Sequence, residues 1–121
     1  MISTVYNMLK PLNIPVLFLM RPKIDKTNKI GISYHFLNES YNLYGDGKGN
    51  EYGGVLQIDI FSLIDYTDVV EQVKQIMKEN NFRLADSRDS DDSLGDLNYY
   101  HKILIFNYTE SEVKKDAWKE N

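Results

Sequence analysis

Gly54-Val55-Leu56-Gln57-Ile58-Asp59-Ile60-Phe61-Ser62, followed after a short link by Thr67-Asp68-Val69-Val70-Glu71-Gln72-Val73-Lys74-Gln75-Ile76-Met77-Lys78-Glu79-Asn80, decides the class of this chain. In the first stretch Leu56, Ile58 and Ile60 fall on one side of an extended backbone and Gln57 and Asp59 on the other, the period of two of a half-buried strand. In the second, Val69, Val70, Val73, Ile76 and Met77 form one apolar stripe of a helix. Asp65 or Thr67 is placed to cap its start, and Asp68 and Glu71 suit the positive end of its dipole. Lys74 and Lys78 lie toward the other end, and Asn80-Asn81 supplies a left-handed stop.

Further elements follow outward from this pair. Phe82 and Leu84 open another strand, an Asp/Ser loop follows, and a closing strand runs over about residues 97–108. That strand is apolar on both faces from Ile103 to Phe106, as expected of a central strand. Upstream, Ile30, Ile32, Tyr34 and Phe36 alternate with Gly31, Ser33, His35 and Leu37, which predicts a strand. Residues 38–52 read as a hairpin-type connection with a short strand at residues 41–44, and residues 23–29 as a loop or an irregular strand edge. Val16 to Met20, between Pro15 and Pro22, reads as a short strand. Ile2, Val5, Leu9 and Leu12 share one helical face, with Ser3 as cap and Pro11 as stop. The expected fold is therefore α/β of the α+β type. A single mixed, mostly antiparallel sheet carries two main helices on one face, in the order α-β-β-β-α-β-β. One domain is expected over residues 1–108, with a charged tail at 109–121 in which Thr109 and Glu112 have the spacing of a helix capping box.

Composition narrows the chemistry. There is no cysteine among the 121 residues, which excludes disulfides, thiolate nucleophiles and cysteine-ligated metal centres. The apolar run Ile14 to Met20 is too short to cross a bilayer and is broken by Pro15, so synthesis in the cytoplasm without a membrane anchor is expected. The formal net charge is −4, and residues 86–96 alone account for it, with Asp86, Asp89, Asp91, Asp92 and Asp96 against Arg88. No basic stripe is present, so sequence-independent binding to nucleic-acid phosphates is not expected.

Candidate sites are few. Gly45-Asp46-Gly47-Lys48-Gly49-Asn50 looks like a phosphate loop, but Lys48 is followed by Gly49 and a strand rather than Ser/Thr and a helix. Counted as a calcium loop from Asp46, its twelfth residue is Gln57, not Glu. Asp46, Lys48 and Asn50 are left as a hairpin loop or a partner contact. Asp89, Asp91 and Asp92 read as a solvated loop, a partner-facing loop or a divalent-cation cluster. His35 and His101 fall in expected strands with no carboxylate at a telling spacing and read as structural or surface residues, although a Ser–His–Asp set assembled in space stays open. Nine tyrosines suit either strand packing or wet interfaces, and Trp118 either folds back on the body or anchors a partner. Without a catalytic set, the chain is not expected to be an enzyme or to hold a cofactor.

Ile14-Pro15-Val16, the Tyr34 strand, the Gly/Asp loop, Leu56-Gln57-Ile58-Asp59-Ile60-Phe61-Ser62 with its helix, Asn81-Phe82-Arg83, and Tyr100-His101-Lys102-Ile103-Leu104-Ile105-Phe106 together resemble a known family. The chain is similar, over residues 1 to about 108, to the tail-completion (tail terminator) and head–tail joining proteins of long-tailed phages and prophages of Gram-positive bacteria. The resemblance implies a structural subunit of the virion, made in the bacterial cytoplasm. It would assemble as a ring, commonly hexameric, that caps the tail tube and meets the head connector, with DNA passing through. Two alternatives belong to other classes: a small metal-dependent hydrolase using His101 with the carboxylates of residues 86–96, and an acidic antitoxin- or immunity-like binding module.

Overall fold

The alternating stretch that opens at Ile30 forms the longest strand, and its register fixes the rest of the sheet. The computed structural model describes residues 1–42, 51–90 and 99–113. Along the chain, α1 (Ile2–Leu9) leads through a 3-10 turn at Lys10–Leu12 to β1 (Val16–Phe18) and β2 (Ile30–Asn42). Then come β3 (Glu51–Ser62), α2 (Thr67–Glu79), β4 (Arg83–Ser90) and β5 (Tyr100–Thr109). The order is α-β-β-β-α-β-β, an α+β fold on one mixed sheet. The five strands lie in the order β1-β2-β3-β5-β4. Only β1 and β2 run parallel; the other three pairings are antiparallel.

One face of the sheet carries both helices. Leu56, Ile58 and Ile60 of β3, Ile32 and Tyr34 of β2, and Leu104 and Phe106 of β5 form a single core with Val5, Met8 and Leu9 of α1 and Val70, Val73 and Met77 of α2. Val69 and Ile76 complete the α2 stripe as half-buried residues. On α1 the buried residues are Thr4, Val5, Met8 and Leu9, so Ile2 faces outward instead of joining the core face. Ser3 lies inside the first turn and Met1 takes the N-cap position, so Ser3 is not the cap.

The stop of α2 follows its sequence, but its start does not. Tyr66 takes the N-cap position with no side-chain cap bond, so neither Asp65 nor Thr67 is the cap, and Asp65 lies one residue before it. Asp65 Oδ1 accepts from the Thr67 amide at 2.9 Å and from the Thr67 hydroxyl at 2.6 Å. At the other end Asn81 has φ 67. Its amide donates to the Lys78 carbonyl, and that of Phe82 donates to Met77 at 2.9 Å. This pair of bonds is the Schellman stop, with Phe82 and Met77 both in the core.

Two segments differ from the sequence reading. The connection expected at residues 38–52 is shorter, because β2 and β3 pair as far as Asn42 and Glu51, past a bulge between Phe36 and Asn38. Gly54 serves that ladder: a Cβ there would lie 1.9 Å from the Asn38 carbonyl oxygen. The acidic segment is also not all loop, since Asp86, Ser87, Arg88, Asp89 and Ser90 belong to β4, the edge strand paired with β5. Backbone hydrogen bonding to an interior apolar strand outweighs the turn preference of Asp and Ser there. β5 is interior, between β3 and β4, while the central strand is β3. Beyond β5, a turn places Val113 in the core.

Candidate functional site

The face opposite the helices is where polar chemistry collects. The link from β1 to its parallel neighbour β2 crosses this face: Pro22 presses on Gly31, where a Cβ would meet the Pro22 ring carbons at 2.6 Å. The Arg21 guanidinium lies over the Phe61 ring at 4.6 Å and the Tyr99 ring at 4.9 Å. Lys23, Ile24 and Leu63 complete a cleft of about 330 Å³ around them. Phe61 in turn stacks on His101, with ring centroids 4.3 Å apart.

At the centre of this face is Asp59. Its Oδ1 lies 2.9 Å from His101 Nε2 and accepts from Gln57 Nε2 at 3.0 Å. Oδ2 accepts from the same amide at 3.2 Å and faces His35 Nδ1 at 3.9 Å, beyond hydrogen-bond length. The register explains the assembly. His35 pairs with Gln57 across β2 and β3, and His101 pairs with Phe61 across β3 and β5, so the two imidazoles approach Asp59 diagonally from opposite sides. Asp59 and His101 are each at least nine-tenths buried. A carboxylate in that position fixes the imidazole's orientation and tautomer. The Asp59–His101 contact links β3 to β5, and the Phe61 ring covers the imidazole. From the sequence both histidines read as structural or surface residues with no carboxylate at a telling spacing; in the fold His101 has one, Asp59, 42 positions away. The signal was the polar pair Gln57 and Asp59 on one face of an otherwise apolar strand, but pairing it with histidines required the register.

Of the sequence candidates, Asp89 lies on the other face. The Tyr66 hydroxyl donates to its Oδ1, and Lys102 Nζ is 2.9 Å from the same oxygen. These two contacts, Tyr66 first, hold the Asp89 carboxyl below its usual range, while burial and the adjacent carboxylate push the Tyr66 phenol up. Asp89 and His101 thus face opposite sides of the sheet. Among the described residues no three His, Asp or Glu side chains converge to hold a metal ion. Asp46, Lys48, Asn50, Asp91, Asp92 and Trp118 lie outside the described residues.

The sheet's two edges are unlike. β4 is lined by Arg83, Asp86, Arg88 and Asp89, the charge pattern that deters edge-to-edge pairing. β1 is three residues long and pairs only with Ile32, Ser33 and Tyr34, so the far half of β2 has no partner strand on that side among the described residues. Leu17 of β1 and Leu19 and Met20 just after it are exposed, as is Leu37 at the bulge of β2. Leu19 is 66% exposed and has φ 62, a left-handed backbone that a Leu side chain disfavours.

No family model and no curated protein matches the chain. A solved structure whose name describes no activity is similar at 13% identity over 88% of this chain and 85% of its own, with a TM-score of 0.48.

Proposed function

We propose that this protein is a structural subunit of a phage or prophage tail, which caps the tail tube as a ring and joins it to the head connector, and that it is not an enzyme. The observation that carries this reading is the apolar strip at the β1 edge, Leu19 above all. The Leu19 amide donates to the Tyr34 carbonyl at 2.9 Å, but its apolar side chain, exposed and held at positive φ, adds nothing to the core, so the value of that side chain lies in a contact made elsewhere. The family resemblance over residues 1 to about 108 says which contact: the tail-tube protein, met by a subunit whose work is shape. The Asp59–His101 pair is consistent with this, since it stiffens the sheet.

In this reading the ring assembles in the host cytoplasm, becomes part of the virion, and needs no cofactor. The test is mass photometry and electron microscopy of the purified protein, alone and with the tail-tube protein of its own genome. Tubes of fixed length with a ring at one end are expected. Tubes that keep growing with no bound ring overturn the proposal, as does a stable one-to-one complex with an unrelated protein in place of tube binding, which is the behaviour of an immunity-like module.

A further inference from the structure

Between the C-terminal half of α2 and the start of β4 lies a groove of about 460 Å³. Its apolar lining is Phe82, Leu84 and Phe106, and Lys74, Lys78, Arg83 and Glu112 are the charged residues that line it among the described residues. Lys74 is 3.4 Å from Glu71 and Arg83 is 3.1 Å from Glu112. Lys78 has no ion-pair partner among the described residues, and Leu84 is 46% exposed. A basic groove is notable on a chain of net charge −4.

The opposite end of α2 has the complementary character. Ile64 and Tyr100 are exposed there, and the Tyr100 ring lies 5.7 Å from that of Tyr66. Asp65 and Asp68 stand at this end of α2 and Asp89 beside it, with Lys102 on Asp89. Two exposed apolar side chains beside carboxylates match an apolar lining beside ammonium and guanidinium groups. The two surfaces are separated by the 13 residues of α2, about 20 Å.

We infer that the groove receives the acidic β3–α2 corner of a second copy of this chain, Ile64 and Tyr100 entering it while Asp65 and Asp68 meet Lys74, Lys78 and Arg83. The contact is head-to-tail, because one patch meets a different patch; repeated, it closes into a ring or runs on as a filament. The helix dipoles of successive copies align in the same sense. As a self-association surface it stands by itself; as the ring contact it rests on the function proposed above.

The test uses the full chain and exchanges charge between the patches. Lys78→Glu and Asp68→Lys are both exposed changes, with circular dichroism as the folding control. Sedimentation equilibrium should show each single variant self-associating at least tenfold more weakly than the parent. The double variant K78E/D68K should recover most of that loss, because the swapped charges meet again. High salt should weaken the parent chain, since the rim charges are screened within about 8 Å at physiological ionic strength. Single variants that associate like the parent overturn the assignment, and so does a parent chain that stays monomeric both alone and with tail tubes. Rings that survive both single changes and still cap tubes defeat this surface and leave the proposed function standing. Charge-swap rescue without tube capping keeps the surface and defeats the function.

Discussion

At the residue scale, Asp59 and Tyr34 show how a polar atom in the middle of a sheet is kept. Asp59 receives His101 and Gln57 at hydrogen-bond length, whereas His35 stands off at 3.9 Å and is the more exposed imidazole. Asp59→Ala strands a buried imidazole and should cost about 1–3 kcal/mol, while His35→Ala should cost less than about 0.5 kcal/mol. Urea unfolding of the two variants checks the ranking, and equal losses would remove the diagonal geometry as its cause. Tyr34 is buried and donates to the Ile2 carbonyl at 2.7 Å, fastening α1 to β2. Burial, followed by neighbouring Tyr6, raises its phenol from 10 to about 12. Because the folded value is the higher one, this contribution is complete below pH 10 and is lost as pH rises through 12. Tyr34→Phe should therefore lower stability by about 1 kcal/mol at neutral pH and flatten the alkaline limb between pH 10 and 12. Melting curves across that window that keep the parental slope would show that another group carries it.

At the element scale, α2 was legible except for its N-cap, which is Tyr66. Its stripe and its Asn81 stop are written in neighbouring residues, and the forces that place them are local. Val73 is wholly buried, so Val73→Ala should destabilise by about 1–4 kcal/mol, against a change within about 0.5 kcal/mol for Lys78→Ala. Chemical denaturation separates these two. β4 was not legible beyond its first residues, since Asp-Ser-Arg-Asp-Ser has turn chemistry and becomes a strand only because β5 offers it a ladder. Gly54 was legible as a strand residue, but not as the point of close approach to β2 that it is inside β3. Gly54→Ala drives a methyl against the Asn38 carbonyl and should cost about 1–3 kcal/mol or more, read as a lower denaturation midpoint.

At the scale of the whole molecule, one sheet face carries both helices, the other is crossed by the β1–β2 link, and Leu19 and Met20 at the β1 edge are the most exposed large apolar side chains among the described residues. If that edge exists for a partner, stability and binding must separate when it is changed. Leu19→Gly combined with Met20→Ser relieves the left-handed leucine and removes exposed apolar area. The variant should melt no lower than the parent, with a gain of up to about 1 kcal/mol, yet fail to cap tail tubes. A lower melting temperature with normal capping would return these residues to a purely structural role.

The sequence by itself determined the element order, the core faces of β2, β3 and α2, and the presence of one mixed sheet, because periodicity and capping are written in neighbouring residues. The tertiary structure alone decided that Asp59 sits between His35 and His101, that Asp89 turns to Tyr66 and Lys102 on the opposite face, and that basic and acidic patches stand at opposite ends of α2. Each of these depends on strand register and strand order, and in a period-two structure a slip of one residue sends every side chain to the other face.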